Sequence, residues 1–258
     1  MHDFWLATCY SLCESMDQIS VIAASGLSAR MQSLELLANN MANASTNGFK
    51  GDGEFYTTYT SEAADLDATD VPTKLPMIQR QWTDFAQGLL EPTNNPLDFG
   101  LQGKGLFTVQ GADGPLYTRN GNFHVLADGS LTASDGLPVL MQDDQPVKLD
   151  PTLPLEVSPD GEIKQQGQTL GQLKIVQFKD TSALLKQGSN YYRNTGDQPP
   201  ADAVNTTVHQ GKIEGSNVSA AHGAVRLVGV MRQFEMMQKA ISISNDMGRK
   251  AIEEVAKV

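Results

Sequence analysis

The stretch Leu227-Val-Gly-Val-Met-Arg-Gln-Phe-Glu-Met-Met-Gln-Lys-Ala-Ile241 has the clearest periodicity of this 258-residue chain. Alternating steps of three and four residues connect Leu227, Val230, Phe234, Met237, Ile241, Ser244, Gly248, Ala251, Val255 and Val258. A mostly apolar row of this kind over about four heptads is typical of a coiled-coil seam. A helix of about 30 residues spans roughly 45 Å, which is longer than a domain of this size can cover. We therefore expect a helix whose apolar face is shared with another helix, the alternative being a helix on its own globular core.

A second, looser row lies near the N-terminal end, in a proline-free stretch from about Asp17 to Ala44. Its members are Ala23, Leu27, Met31, Leu34, Ala38 and Met41. Asn47-Gly48 offers the left-handed residue that commonly ends a helix. The sequence thus predicts a first helix that either pairs with the last one or, like it, binds neighbouring molecules.

The middle of the chain has the pattern of β structure. All 12 prolines lie between Pro72 and Pro200, and proline interrupts helices. Short alternating runs are separated by turn dipeptides such as Asn120-Gly121 and Asp128-Gly129, which is typical of an antiparallel sandwich or barrel. The runs are 106–110, 116–119, 122–125, 130–132, 138–141, 155–157, 162–164 and 172–178. The predicted class is α+β: long terminal helices that pair as an antiparallel coiled coil, with a central antiparallel β domain.

Composition and charge exclude several classes of protein. The chain has 30 acidic and 19 basic residues, a formal net charge of -11, which disfavours nucleic acid as a partner. Most of this acidity is central, since 46–217 carry 22 acids and 12 bases, whereas 218–258 carry 4 acids and 6 bases. No apolar run approaches the roughly 18 to 20 residues of a membrane span.

The residue patterns of common active sites are absent from the sequence. The four histidines, His2, His124, His209 and His222, form no pair with metal-ligand spacing on a helix. The glycine-rich stretch 100–105 lacks phosphate-loop spacing and precedes a strand, which favours a hairpin or bulge that enters the β domain. The turn acids Asp143 and Asp144 are adjacent, so their side chains diverge. We therefore predict no catalytic residue, metal site or cofactor.

Residues 1–15 differ from the rest and contain both cysteines of the chain. They lack the basic region and the long apolar region of a signal peptide. A second candidate start, Met16-Asp17, comes directly before the first helix. We interpret 1–15 as an atypical leader, which is either a mis-assigned start or a genuine extension.

Three stretches resemble one family, the bacterial flagellar rod, hook and hook-associated axial proteins. The first is Met16 to Ala29 followed by Leu36 to Lys50, and it includes Ser25, Gly26, Leu27, Asn39, Asn40, Asn43, Thr46, Gly48, Phe49 and Lys50. The second is Asn95 to Val109 with Tyr117 to Phe123. The third is Glu214-Gly-Ser-Asn-Val218 with Met231 to Ile241. The length is similar to that of the FlgF and FlgG rod proteins, and Met16-Asp17 with Ala44-Ser-Thr46 is more similar to the proximal-rod type, FlgF.

This resemblance implies a structural subunit of the flagellar basal-body rod that transmits torque, located in the rod across the periplasm. Its partners would be copies of itself, other flagellar rod proteins and the flagellar export apparatus, which it would enter without a cleaved signal peptide. The terminal helices would order on polymerisation. The implied organisation is a leader (1–15), an N-terminal core helix (16–50), a linker or arm (51–95), a β domain (96–212) and a C-terminal core helix (213–258). The implied assembly interface is Ala23, Leu27, Met31, Leu34, Ala38, Met41, Leu227, Val230, Phe234, Met237 and Ile241.

One function of a different class competes with this interpretation. A periplasmic β-domain enzyme or ligand-binding module could use terminal helices only to dimerise. A deep pocket with converging acids around His124, Asp143 or Asp160 would favour it.

Overall fold

The computed structural model describes residues 23–60 and 74–255. The proposed leader, 1–15, lies outside these residues. Helix α1 covers 23–42, helix α2 covers Ala220–Val255, and Thr181–Ala183 form one 3-10 turn. The strands are β1 Asp52–Thr60, β2 Lys74–Thr83, β3 Leu90–Pro92, β4 Phe99–Gln102, β5 Leu106–Gly111, β6 Gly114–Thr118, β7 Phe123–Val125, β8 Leu131–Ala133, β9 Leu155–Val157, β10 Glu162–Gln165, β11 Gln168–Gln172, β12 Ile175–Gln177, β13 Leu184–Lys186, β14 Tyr191–Asn194, β15 Ala201–Asp202, β16 Thr207–Gln210 and β17 Lys212–Glu214.

The chain divides into two compact units. The helical unit contains the described residues of 1–39, 53–82 and 221–258, and the β unit contains 40–52 and 83–220. Two helices and a β-rich body confirm the α+β class. The pairing of the two helices as an antiparallel coiled coil stays a prediction.

The β unit is built from antiparallel sheets. The largest has six strands in the order β13-β14-β6-β5-β12-β15, and a three-stranded sheet has the order β11-β10-β9. The pairs β16-β4, β17-β3 and β7-β8 complete the pairing within this unit. The core centres on three aromatic rings, with the Phe107 and Phe123 centroids 5.2 Å apart and those of Phe99 and Phe123 5.9 Å apart. Because all three side chains are fully buried, they contribute much of the apolar burial that stabilises this unit.

The predicted turns are confirmed where an Asp-Gly pair separates two runs. Gly129, Gly136 and Gly161 all have φ near +80°, at 82°, 80° and 83°. Glycine adopts this left-handed conformation without the steric cost that a Cβ would impose. These connections are therefore fixed by local sequence.

Two predicted strands are wrong in detail. The run 172–178 is divided, because β11 ends at Gln172 and β12 begins at Ile175. Between them the chain leaves its pairing with β10 and turns to β5, with Leu173 bridged to Met141. The run 138–141 forms only isolated bridges, and its first residue, Pro138, has no N–H to donate.

The segment 51–95, expected as a linker or arm, contains three strands. β1 and β2 pair with each other in the helical unit, and β3 pairs with β17. At the base of the β1–β2 pair, the Phe55 and Trp82 rings stack with centroids 5.9 Å apart. A Cβ at Gly53 would lie 2.5 Å from the Trp82 indole nitrogen, so the ring lies directly on the strand backbone.

The end of α1 differs from the prediction. The helix stops at residue 42, whereas Gly48, expected to end it, lies six residues further on. Gly48 does have the left-handed φ of 69°, but it closes the turn that follows the helix. Among the described residues, neither helix has the length and apolar character needed to cross a membrane.

Candidate functional site: the junction and the helical faces

The turn after α1 meets two other chain segments within the β unit. We call the segments 43–52, 84–88 and 214–218 the junction. The Gly48 N–H donates to the Glu214 carbonyl at 2.7 Å, and the Asn217 N–H donates to the Phe49 carbonyl at 3.3 Å. The Asp84 N–H donates to the Gly51 carbonyl at 2.8 Å. Backbone hydrogen bonds therefore join all three segments.

Two asparagine side chains complete these connections. The Asn217 amide accepts from the Gly51 N–H at 2.8 Å and donates to the Asp84 carbonyl at 2.7 Å. The Asn40 amide donates to the Asp52 carbonyl at 2.7 Å and accepts from its N–H at 2.9 Å. An amide carries both a donor and an acceptor, so each asparagine side chain can bind the backbone in both roles.

A buried cluster of three charged side chains lies inside the junction. Lys50 Nζ is 2.6 Å from Glu214 Oε1 and also donates to the Ala86 carbonyl at 2.7 Å. The Gly88 N–H donates to the same Glu214 oxygen at 2.8 Å. Arg119 Nη1 lies 3.4 Å from Glu214 Oε2. The side chains of Lys50 and Glu214 are 0% exposed and that of Arg119 2%.

Burial governs the protonation of this cluster. It lowers the pKa of Lys50, and the adjacent Glu214 carboxylate only partly opposes that effect. Burial likewise lowers the pKa of Arg119 and raises the pKa of the nearby Tyr192 phenol. With both cations charged, the cluster holds two positive charges against one carboxylate, and the Ala86 and Gly103 carbonyls supply further acceptors.

Lys186 lies on the outer side of the junction. Its Nζ donates to the Lys50 carbonyl and to Asp52 Oδ2, both at 2.7 Å, and lies 4.4 Å from the Phe49 ring centroid. A cation over an aromatic face is attracted by the ring quadrupole. Lys186 is thus a third cation, besides Lys50 and Arg119, that contacts the junction.

Close backbone approach explains why glycine occupies position 48. A Cβ on Gly48 would lie 2.4 Å from the Asn120 nitrogen, nearer than atoms of real side chains come. The left-handed φ adds a second reason.

Helix α2 of the helical unit has one face that is partly buried. Within 220–250, the half-buried residues are Gly223, Leu227, Val230, Phe234, Met237, Ile241, Ser244 and Gly248, and the others are exposed. These include the whole predicted row as far as Gly248. No residue of 220–250 is fully buried. The geometry of the row is as predicted, while its role as an assembly interface stays a prediction.

Helix α1 buries a different row from the predicted one. The buried residues are Gly26, Ala29, Ser33, Leu37 and Asn40. In the predicted row, Met31 and Ala38 are exposed, and the others are half-buried: Ala23, Leu27, Leu34 and Met41. Counting apolar residues missed the inner row because it includes the polar Ser33 and Asn40.

Glu54 of β1 contacts both helices. Ser33 Oγ donates to Glu54 Oε2 at 2.6 Å, and Arg226 of α2 lies 3.8 Å from Glu54 Oε1. The Glu54 side chain is only 6% exposed. A single carboxylate therefore connects α1, β1 and α2 within the helical unit.

The residues named for the enzyme alternative lie at the surface. His124, Asp143 and Asp160 are each exposed. Over 23–60 and 74–255, no group of three or more His, Cys, Asp or Glu residues has metal-binding geometry. The alternative of a β-domain enzyme finds no support at these positions.

Comparison with known proteins gives a consistent relationship over most of the chain. It is 32% identical to the flagellar basal-body rod protein FlgF of Caulobacter vibrioides over 237 residues, 90% of this chain and 97% of the relative. The chain belongs to the flagellar basal-body rod proteins of the FlgF/FlgG type. The FlgG proteins of Agrobacterium fabrum (32% identity; 88% of this chain, 95% of the relative) and Buchnera aphidicola from Acyrthosiphon pisum (31%; 89% and 96%) are comparably similar.

Three family models match this rod protein in order along the chain. They are "Flagella basal body rod protein" at 22–50, "Flagellar hook protein FlgE/F/G D1 domain" at 100–168 and "Flagellar basal body rod FlgEFG protein C-terminal" at 209–254. The prediction of a structural, non-enzymatic rod subunit is confirmed. The alternative of an enzyme or ligand-binding module is not supported.

The structure also shows what the sequence motifs of this rod protein do locally. Asn40, Gly48 and Lys50 of the first motif contact the junction, and Glu214 and Asn217 belong to the third motif. Sequence reasoning grouped these residues only by resemblance and did not single out Arg119. The signal that it missed is a lysine and a glutamate in two separate motifs, each next to a glycine.

Proposed function

We propose that this rod protein polymerises through its terminal helices with copies of itself and with other rod proteins of the flagellum. In this arrangement α1 and α2 pair as an antiparallel coiled coil in the rod and transmit torque. The subunit reaches the growing rod through the flagellar export apparatus, without a cleaved signal peptide. We also propose that it is of the FlgF, proximal type, on its Met16-Asp17 and Ala44-Ser-Thr46 sequences.

The observation that carries this proposal is the incomplete burial of α2. Its apolar row is half-buried, and further apolar residues, Val225, Met236, Ile243 and Met247, are exposed. Each Leu, Phe or Met that becomes fully buried contributes roughly 1.5 to 3 kcal/mol. A helix with so much apolar surface left over is stabilised further by packing against helices of neighbouring subunits.

The test is a change of charge within the row. Phe234→Asp in α2 and Leu34→Asp in α1 place a carboxylate on the proposed seam, and burying an unpaired charge is strongly unfavourable. In a strain that lacks its own copy of the gene, each variant should fail to restore swimming and should be missing from purified basal bodies. Far-UV and near-UV circular dichroism should show that the β unit of each variant remains folded.

The controls are Gln238→Asp in α2 and Gln32→Asp in α1, which add the same charge at exposed positions. Both should support near-normal swimming. Normal motility of the Phe234→Asp and Leu34→Asp strains would contradict assembly through these rows.

A further inference from the structure

The points at which the chain crosses from one unit to the other lie in or close to the junction in sequence. The chain passes from one unit to the other at 39/40, 52/53, 82/83 and 220/221. Residues at or close to these points are hydrogen-bonded to one another inside the β unit. Asn40 is bound to Asp52, Thr83 Oγ1 donates to Asp52 Oδ1 at 2.7 Å, and Asn217 is bound to Gly51.

The buried cluster joins the three junction segments at one atom. Glu214 Oε1 accepts from Lys50 Nζ and from the Gly88 N–H, so three segments that are distant in sequence meet at a single oxygen. The charge-assisted hydrogen bonds made by Lys50 are directional and short. They fix position more sharply than apolar contacts of the same area would.

Stability alone does not account for this arrangement. Removing charges from water is costly, and a buried ion pair is often no more stabilising than apolar residues of the same size. Here two cations share one carboxylate, and burial disfavours both charged forms. Buried polar groups of this kind have a better-attested role in selecting one geometry among several.

We propose that Lys50, Glu214 and Arg119 are positioning residues that hold the four exits of the chain in one fixed geometry in the free subunit, before any neighbour binds. This inference goes beyond the proposed assembly function and does not depend on it, since it concerns the isolated chain.

The first test uses the unmodified chain. The amides of Gly48, Gly51 and Gly88 donate into the junction, so in the isolated subunit their hydrogen exchange should be as slow as that of Thr108 and Leu140 in the β unit. Exchange at the fast rate of exposed helix ends would overturn the proposal. This measurement requires no variant and no rod.

The second test measures the spacing of two exits. Ala42 and Ser219 are exposed and belong to the β unit, so Ala42→Cys and Ser219→Cys can carry spin labels once Cys9 and Cys13 are replaced by serine. Electron–electron double resonance should give one narrow distance distribution for the parent. Lys50→Met should broaden this distance distribution at temperatures well below the unfolding midpoint. With Lys50→Arg the distribution should be narrower than with Lys50→Met, though broader than in the parent.

The control is Arg193→Met, which removes a cation from the half-exposed pair with Asp113 and should leave the distribution narrow. A distribution that stays narrow in Lys50→Met would overturn the positioning role.

If Lys50→Met does not fold, Glu214→Gln takes its place. That variant retains one oxygen as an acceptor for Lys50 and Gly88, and it loses the negative charge and the acceptor that faces Arg119. Broadening in that variant supports the proposal and a narrow distribution contradicts it. Should neither variant fold, the exchange rates of the parent decide. Normal swimming of the Phe234→Asp and Leu34→Asp strains, with an intact junction, would instead count against the assembly function alone.

Discussion

The junction and helix α2 differ in what they bury, because the junction buries charged side chains whereas α2 leaves apolar ones exposed. In the junction a lysine and a glutamate are withdrawn completely from water, and each has several partners from the same chain. Along residues 220–250 of α2 nothing is fully buried, and the ion pair that the structure gives within the helix, Arg249 with Asp246, is exposed. The charged groups of the junction therefore find their partners within the same chain, whereas apolar residues of α2 remain exposed.

This difference separates two sources of stability. The β unit draws its stability from intramolecular burial, which is available to a single molecule. The residues of the apolar row of helix α2 are each only partly buried. Most of the stabilisation of this helix therefore has to come from tertiary or intermolecular packing. Folding and assembly therefore depend on different residues, and variants in the two regions should behave differently.

The largest expected effect is the loss of the Glu214 carboxylate. Glu214→Ala leaves Lys50 and Arg119 buried without a counterion and should lower the free energy of unfolding of the isolated chain by about 3 to 5 kcal/mol. Asp246→Ala is the matched change in α2, where an exposed pair three residues apart contributes about 0.2 to 0.5 kcal/mol. Urea denaturation followed by tryptophan fluorescence and circular dichroism measures both.

Equal losses for the two variants would remove the contrast between the regions. A stable Glu214→Ala protein would mean that the cluster relaxes or admits water when its carboxylate is absent.

A smaller effect, of opposite sign in the two regions, is expected for glycine. Gly48→Ala combines a left-handed conformation, which costs about 1 to 2 kcal/mol for a residue with a Cβ, with a collision against the Asn120 backbone. Gly229 lies within α2, where an added Cβ would meet no atom of the described residues beyond its own helical turns within 4 Å. Gly229→Ala should therefore stabilise the helix by about 0.5 to 1 kcal/mol.

Thermal denaturation monitored at 222 nm distinguishes these outcomes. Gly48→Ala should lower the midpoint of the β unit, and Gly229→Ala should increase the helical signal of the isolated chain. A neutral Gly48→Ala would indicate that the turn 43–48 can shift away from Asn120.

The success of sequence reasoning follows how local each feature is. The Asp-Gly turns at Gly129, Gly136 and Gly161 and the row from Leu227 to Gly248 depend on neighbouring residues, and these were predictable. The division of 172–178 depends on Met141, which lies about thirty residues away and bridges to Leu173.

The junction was not predicted from the sequence for the same reason. Lys50 and Glu214 are 164 positions apart, so no window of sequence contains both. In α1 the buried row was misjudged because Ser33 is buried through a hydrogen bond to Glu54, which hydrophobic periodicity does not detect. In general, hydrophobic patterns do not predict polar residues that are buried by partners distant in sequence.

The smallest expected effect is a pH dependence from Lys50. Its pKa is lowered in the folded state from the ordinary 10.5. Between the two values the unfolded chain binds more protons than the folded chain, so the Lys50 contribution to the free energy of unfolding rises with pH. Lys50→Met lacks this contribution, and the stability difference between parent and variant should shift in favour of the parent from pH 7 to pH 10.

Urea titrations of both proteins at the two pH values give this difference directly. Comparing them cancels the tyrosine ionisations that both proteins share. A difference that is flat, or that shifts in favour of the variant, would mean that Lys50 remains accessible to water in solution.

The hydrogen bond from the Gly48 nitrogen to the Glu214 carbonyl also has a chemical consequence. Asn-Gly is the dipeptide most prone to spontaneous deamidation, which begins when the glycine nitrogen attacks the asparagine side-chain carbonyl to form a succinimide. At Asn47-Gly48 that nitrogen is held by a 2.7 Å hydrogen bond to the Glu214 carbonyl, and Gly48 itself is buried. The segment that carries the chain out of its first helix is thereby protected from chemical ageing for as long as the junction stays closed.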